Sequence, residues 1–165
     1  MGLFQISNEP GFLTPTLYNY VGRPDKTAEV VRKTLKERYN ATKEGIPGND
    51  DSGSMSSWYV FHALGFYPNT GQDLYLISSP TFEEAVIHLE NGRDLSIKAK
   101  KASDKNIYVQ SVKLNGEPLD ACSFKHTDIA NGESTNNSFA PTHMGKNASM
   151  ASPIDNTFFI IIPYN

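Results

Sequence analysis

Apolar residues recur at helical spacing through the first third of the chain and then change to alternation. Ala28, Val31, Leu35 and Tyr39 form one stripe, while Lys26, Glu29, Arg32, Lys33, Lys36 and Glu37 fill the other positions. That spacing predicts an amphipathic helix opening at Arg23-Pro24-Asp25 and ended by Gly45 and Pro47 after a short polar stretch. Glu29 and Lys33 are placed to pair across one of its turns. A shorter helix precedes it: Thr14 is a suitable cap, Pro15 suits the first position, Leu17, Tyr18 and Val21 share a face, and Gly22 closes it. A third helix is predicted from about Ser54 to Leu64. Met55, Trp58, Tyr59, Val60, Phe61, Ala63 and Leu64 leave it almost no polar face, so burial on all sides is expected. Gly65 suits the left-handed position just past its end, and Pro68 forbids continuation.

From Asp73 the period becomes two. Residues 74–77 read as a short strand. Residues 85–90 and 93–99 flank Asn91-Gly92, and residues 107–114 lead into Asn115-Gly116; both dipeptides are hairpin signals. These runs predict an antiparallel meander over residues 85–119. Residues 128–138 are polar and read as loop, and the apolar run 158–162 reads as a central strand. The expected class is α+β, with helices over residues 1–67 followed by an antiparallel sheet or sandwich lobe over residues 68–165.

Composition narrows the function classes. The chain has 165 residues, so folding would bury about 70% of its unfolded surface without staples. A net charge of −3 and the lack of a basic stripe argue against nucleic acid as a partner. The single cysteine, Cys122, excludes an internal disulfide and a cysteine-based zinc cluster. No apolar run approaches the roughly 20 residues of a membrane-spanning helix, so no membrane insertion is expected. The N-terminal residues lack signal-peptide character. The chain begins in sequence that already looks structured, and it is expected to be part of a longer protein.

The candidate chemistry lies in Gly48-Asn49-Asp50-Asp51-Ser52-Gly53, an acidic pair between glycines at the mouth of the third helix. Aspartate at that place can cap the helix and complement its dipole. It can equally be a general base, because the dipole favours the ionised carboxylate. Both readings are open, since one aspartate could cap while its neighbour faces a cleft. Asn8 and Glu9 read as a turn with a surface carboxylate, or as a second carboxylate or calcium ligand of a site shared between distant segments. The spacing around Asp50 is not that of the twelve-residue calcium loop. Trp58 and Tyr59 read as core aromatics. Four scattered histidines do not make a zinc site, and Ser54, Ser56 and Ser57 lack the frame of a serine-hydrolase elbow.

Several stretches together resemble a known family. Asn8-Glu9-Pro10, residues 17–24, residues 45–53, Met55-Ser56-Ser57-Trp58-Tyr59-Val60-Phe61, residues 63–68, Ser79-Pro80-Thr81-Phe82 and Leu114-Asn115-Gly116 occur in the order seen in glycoside hydrolase family 92, the bacterial alpha-mannosidases. The resemblance extends to about Lys146. It implies a calcium-dependent, inverting, exo-acting alpha-mannosidase, often specific for alpha-1,2 linkages in mannose-containing glycans. It also implies a parent enzyme, periplasmic or secreted, that pairs a β-sandwich with an (α/α)6 toroid, this chain being the C-terminal end. By resemblance Asp51 is the general base and Asp50 the other candidate, Asn49, Asn8 and Glu9 bind substrate, and Glu9 and Asn8 lie at the calcium. Two departures stand out. Gly11-Phe12-Leu13-Thr14 replaces the histidines that follow the Asn-Glu-Pro motif, and the family's glutamate general acid is not in this chain. Inverting hydrolysis needs an acid and a base about 6.5–9.5 Å apart, which adjacent aspartates do not provide. The isolated chain is therefore expected to be inactive, and its unpartnered helices to favour a homodimer. The alternative is a non-catalytic carbohydrate-binding or accessory module.

Overall fold

The computed structural model describes residues 4–130, together with the backbone of two strands at residues 133–134 and 157–161. Helices come first and small sheets follow, as the α+β reading expected. Two 3-10 helices, η1 (Glu9–Gly11) and η2 (Thr14–Val21), lead into α1 (Pro24–Arg38). A 3-10 turn, η3 (Asp51–Gly53), runs directly into α2 (Ser54–Leu64). Gly22 and Gly65 close η2 and α2 in the left-handed conformation that lacks a penalty only for glycine, with φ of 68° and 99°.

Beyond α2 the chain forms β1 (Phe66–Pro68), β2 (Tyr75–Ile77), β3 (Glu84–His88), β4 (Arg93–Lys100), β5 (Ser111–Leu114), β6 (Glu117–Leu119) and β7 (Ser123–Phe124). A single helical turn, α3 (His126–Ile129), and the strands β8 (Glu133–Ser134) and β9 (Thr157–Ile161) follow. One sheet has the order β1-β2-β7; the other runs β3-β4-β9-β5-β6, with β8 paired to β4.

Four local expectations change. The meander is interrupted, because β9 lies between β4 and β5. It is antiparallel to β5 but parallel to β4, with Ile97 opposite Phe158. The apolar run read as a central strand is β9, but which strands it separates is not legible locally, because hairpin signals report only strands that neighbour each other in sequence. The strand before Asn115-Gly116 is shorter than expected and starts at Ser111. The stretch expected as loop from Asp128 contains the end of α3 and the short strand β8; residues 131–132 and 135–138 lie outside the described residues. Finally, α2 is not covered on all sides, since Tyr59 and Val60 face solvent.

Two apolar clusters hold the fold. The helical cluster contains Ile6, Val31, Leu35, Tyr39, Met55, Trp58 and Tyr67. The sheet cluster contains Phe66, Ile77, Leu95, Ile97, Ala99, Val112, Phe124 and Ile129. Phe61 packs against both, so α2 joins the helical part to the sheets. Arg32 ties them a second time. Its place on the polar stripe of α1 suggests exposure, yet it is buried and donates to the Pro80 and Ser103 carbonyl oxygens. Glu29 pairs not with Lys33 but with Lys26, at 2.7 Å, and also accepts from the Tyr108 hydroxyl.

Candidate active site

The acidic turn is built from backbone conformations that few residues adopt. Gly48 has a φ of +68°, and a Cβ there would run into the Ser7 carbonyl group. The missing side chain lets the two backbones meet, and Asn49 N donates to Ser7 O at 3.2 Å. Residues 48–49 are thereby joined to the segment that carries Asn8 and Glu9. Farther along, Ser52 (φ 52°, ψ 27°) and Gly53 (φ 76°, ψ 19°) are consecutive left-handed residues. Glycine tolerates this freely, while serine gives up about 1 kcal/mol. Together they reverse the chain between Asp51 and the first turn of α2.

This reversal separates the two aspartates. The residue at the formal start of α2 is Gly53, which has no side chain to cap with. Asp50 caps instead, from farther upstream: its Oδ1 accepts from Ser56 N at 2.9 Å and its Oδ2 from Ser56 Oγ at 2.7 Å. Those bonds hold the Asp50 carboxyl below the usual carboxylate range, the backbone donor contributing most. Asp51 is exposed, and among the described residues its carboxylate takes no hydrogen bond and no ion pair.

The Asn-Glu-Pro segment arrives from the other side. Asn8 caps η1, its Oδ1 accepting from Glu9 N at 3.0 Å. Glu9 reaches α2, its Oε1 accepting from Ser54 Oγ at 3.0 Å. Asn8, Glu9, Asn49, Asp50 and Asp51 are all exposed, and their two segments meet where α2 begins through the Ser54–Glu9 and Asn49–Ser7 bonds. Behind them Trp58 is fully buried, donates from Nε1 to Phe12 O at 3.1 Å and stacks on Tyr39 at 6.0 Å. The Tyr39 hydroxyl donates to Met55 O at 3.1 Å. Trp58 is thus the core aromatic its spacing suggested, whereas Tyr59 is partly exposed and leans on Tyr39.

Sequence reasoning weighed Ser54 and Ser56 only as nucleophiles, and missed them as hydrogen-bond partners of Glu9 and Asp50. A capping box joins residues three apart; here two left-handed residues stretch the link from Asp50 to Ser56, so no standard spacing reveals it. The described residues include no group of three or more histidine, cysteine or acidic side chains able to hold a metal.

Helices ending on an exposed acidic turn and backed by small sheets have close counterparts among glycosidases. The catalytic-domain model of glycosyl hydrolase family 92 matches residues 1–140, and the chain belongs to that family. A protein of the fungus Arthroderma benhamiae described as an uncharacterized secreted glycosidase is 38% identical over 133 residues, covering 79% of this chain and 17% of its own length. The family 92 alpha-mannosidase of Bacteroides thetaiotaomicron solved with mannoimidazole superposes with a TM-score of 0.78 at 28% identity, covering 95% of this chain and 18% of that one. A family 92 inverting mannosidase of the same bacterium gives 0.73 at 27%, covering 94% and 18%. The chain therefore spans under one fifth of the length of these relatives.

Proposed function

We propose that this chain supplies the general-base half of an inverting exo-alpha-mannosidase site, with Asp51 as the base and a mannose-containing glycan, preferentially alpha-1,2-linked, as substrate. The observation that carries the reading is the unengaged Asp51 carboxylate where the segments of Glu9 and Asn49 meet, in a chain of a glycosidase family. In such a reaction Asp51 takes a proton from water as the water oxygen attacks the anomeric carbon. The glycosidic bond breaks on the opposite face, and an acid protonates the leaving oxygen. That acid must come from the parent enzyme outside this chain, because the neighbouring Asp50 cannot stand across a sugar ring from Asp51. Asn8, Glu9 and Asn49 are proposed to hold sugar hydroxyls.

Calcium is part of this proposal. Asn8 and Glu9 offer the oxygen donors a hard cation takes, and the second carboxylate oxygen of Glu9 has no partner among the described residues. Calcium takes about 6–8 oxygens, so most of its ligands would come from the rest of the parent enzyme. When bound, the ion would position two sugar hydroxyls. The secreted description of the Arthroderma relative supports an exported parent enzyme.

The test is made in the full-length enzyme. Asp51→Asn should reduce mannose release from an alpha-1,2-linked mannobioside by about 10²–10⁴-fold, and the first sugar released by the unmodified enzyme should be the β-anomer by proton NMR. Unaltered turnover in Asp51→Asn would refute the assignment. Calcium-independent sugar binding by this chain alone, unaffected by the substitution, would favour the non-catalytic binding module.

A further inference from the structure

We propose that Asp50 and Ser56 form a clamp that aims Asp51, making Asp50 a positioning residue rather than a second base. The inference rests on Asp51 being the base of the proposed reaction. Its own support is the geometry of the turn.

Three bonds cross the turn. Asp50 O accepts from Gly53 N at 3.0 Å, and the two Asp50 carboxylate oxygens accept from the backbone and hydroxyl of Ser56 at 2.9 and 2.7 Å. Residue 51 is therefore enclosed in a ring closed at position 50 on one side and position 56 on the other. The ring contains the left-handed pair Ser52 and Gly53, a backbone shape that does not persist without something to hold it. Ser57 Oγ donates to Gly53 O at 2.8 Å and Ser54 N to Asp51 O, but no side chain caps the helix at Gly53, and only Asp50 ties the residue before Asp51 to the first turn of α2 through its side chain. With Asp50 in place, the first turn of α2 and the Asp51 backbone move as one unit. Without the Asp50 carboxylate, the reversal keeps its backbone bonds but loses both links to Ser56, and a base displaced by about 1 Å loses much of its effect.

The same bonds make Asp50 a poor base. A carboxylate that accepts two hydrogen bonds from one residue must release or bend them to take a proton, and its affinity for that proton is lowered. The Asp51 carboxylate accepts no hydrogen bond from any described residue. The adjacent acidic residues thus divide the work, one holding the turn and the other facing the substrate edge.

Azide separates these roles. It is a small anion that attacks the anomeric carbon without needing a base. The new bond forms between nitrogen and that carbon, the glycosidic C–O bond breaks, and the leaving group departs with the electron pair and the acid's proton, yielding a mannosyl azide. In the full-length enzyme acting on an aryl alpha-mannoside, Asp51→Ala should lose activity and recover about tenfold or more with azide, the azide adduct being the product. Asp50→Ala and Ser56→Ala should lower kcat more than KM, with no azide recovery, and Ser56→Thr, which keeps the hydroxyl, should restore most of the loss. Ser56→Ala keeps the backbone bond to Asp50, so it reports on the clamp even if Asp50→Ala fails to fold. Azide recovery in Asp50→Ala, or unchanged kcat in both Asp50→Ala and Ser56→Ala, overturns the proposal while leaving the glycosidase reading intact. Full activity of Asp51→Ala without azide overturns both.

Discussion

Ser54 Oγ donates to Glu9 Oε1 at 3.0 Å, joining residues 45 positions apart in the chain. The bond connects the first residue of α2 to the first residue of η1, so the Glu9 carboxylate takes its position from the helix that follows the acidic turn. A second joint, Asn49 N to Ser7 O, lies beside it and depends on Gly48.

Gly48→Ala should break that joint. The added Cβ meets the Ser7 carbonyl group, and the φ of +68° is strained for any other residue. The expected loss is about 1–3 kcal/mol, read from the urea midpoint, with faster hydrogen exchange at Asn49. A variant as stable as the parent chain would show that the two segments do not need this close approach.

Arg32 should be the most sensitive charged residue. Its buried guanidinium serves the Pro80 and Ser103 carbonyls, while its ionic partner Asp104, at 3.5 Å, is exposed. Arg32→Ala leaves both carbonyls without their donor and should destabilise the chain by about 2–5 kcal/mol. Asp104→Ala removes only a solvent-screened partner and should change stability far less than Arg32→Ala does. Equal losses in urea titrations of the two variants would place the stabilisation in the ion pair instead.

His62 should make stability depend on pH. It is fully buried between Trp58 and Tyr67, with ring centroids 4.2 and 4.8 Å away, and its Nδ1 meets Ser78 Oγ at 3.1 Å. Burial pushes its pKa down to about 3 from the ordinary 6.5. The native ring stays neutral while the unfolded ring takes a proton below the ordinary value. Stability contributed by the neutral ring is complete above that value and falls as pH drops toward 3, by about 1.4 kcal/mol per pH unit. His62→Phe should flatten this dependence between pH 6.5 and 5, where carboxylates contribute least. Parallel stability curves for the two proteins would refute the assignment.

The isolated chain should self-associate. Leu17, Tyr20 and Val21 are 50%, 59% and 71% exposed on η2, and Ile46, Tyr59 and Val60 form a second apolar edge beside α2. In relatives of which this chain matches only about 18%, most of the polypeptide lies outside the matched part. Light scattering after size exclusion should show dimers or larger species, returned to monomer by Val21→Lys with Val60→Lys. A clean monomer of the unmodified chain at high concentration would count against it.

Much of the helical part was legible in the chain because its signals are local. The end of α2 follows from Gly65 and Pro68, α1 opens at Pro24, and Gly22 ends η2, each through a backbone preference of one or two residues. The acidic turn was legible as a place for chemistry, because carboxylates between glycines at a helix mouth are readable without any partner. Which aspartate caps and which stays free was not. That depends on two left-handed residues and on Ser56, whose role exists only once the turn is folded.

The other surprises have the same origin. Arg32 sits on a stripe of charges and reads as solvated, yet the sheet side folds over it and places two carbonyl oxygens within its reach. Both Asn-Gly hairpins form, β3 with β4 and β5 with β6, but β9 enters the larger sheet between β4 and β5, which a continuous meander would make neighbours. Residue pattern alone determined the order of helices and strands, their main turns and the position of the acidic turn, because each depends on neighbours within a few residues. Only the tertiary structure decided how Glu9 meets Ser54, how the sheet is ordered and which carboxylate remains free, because those depend on groups brought together from far along the chain.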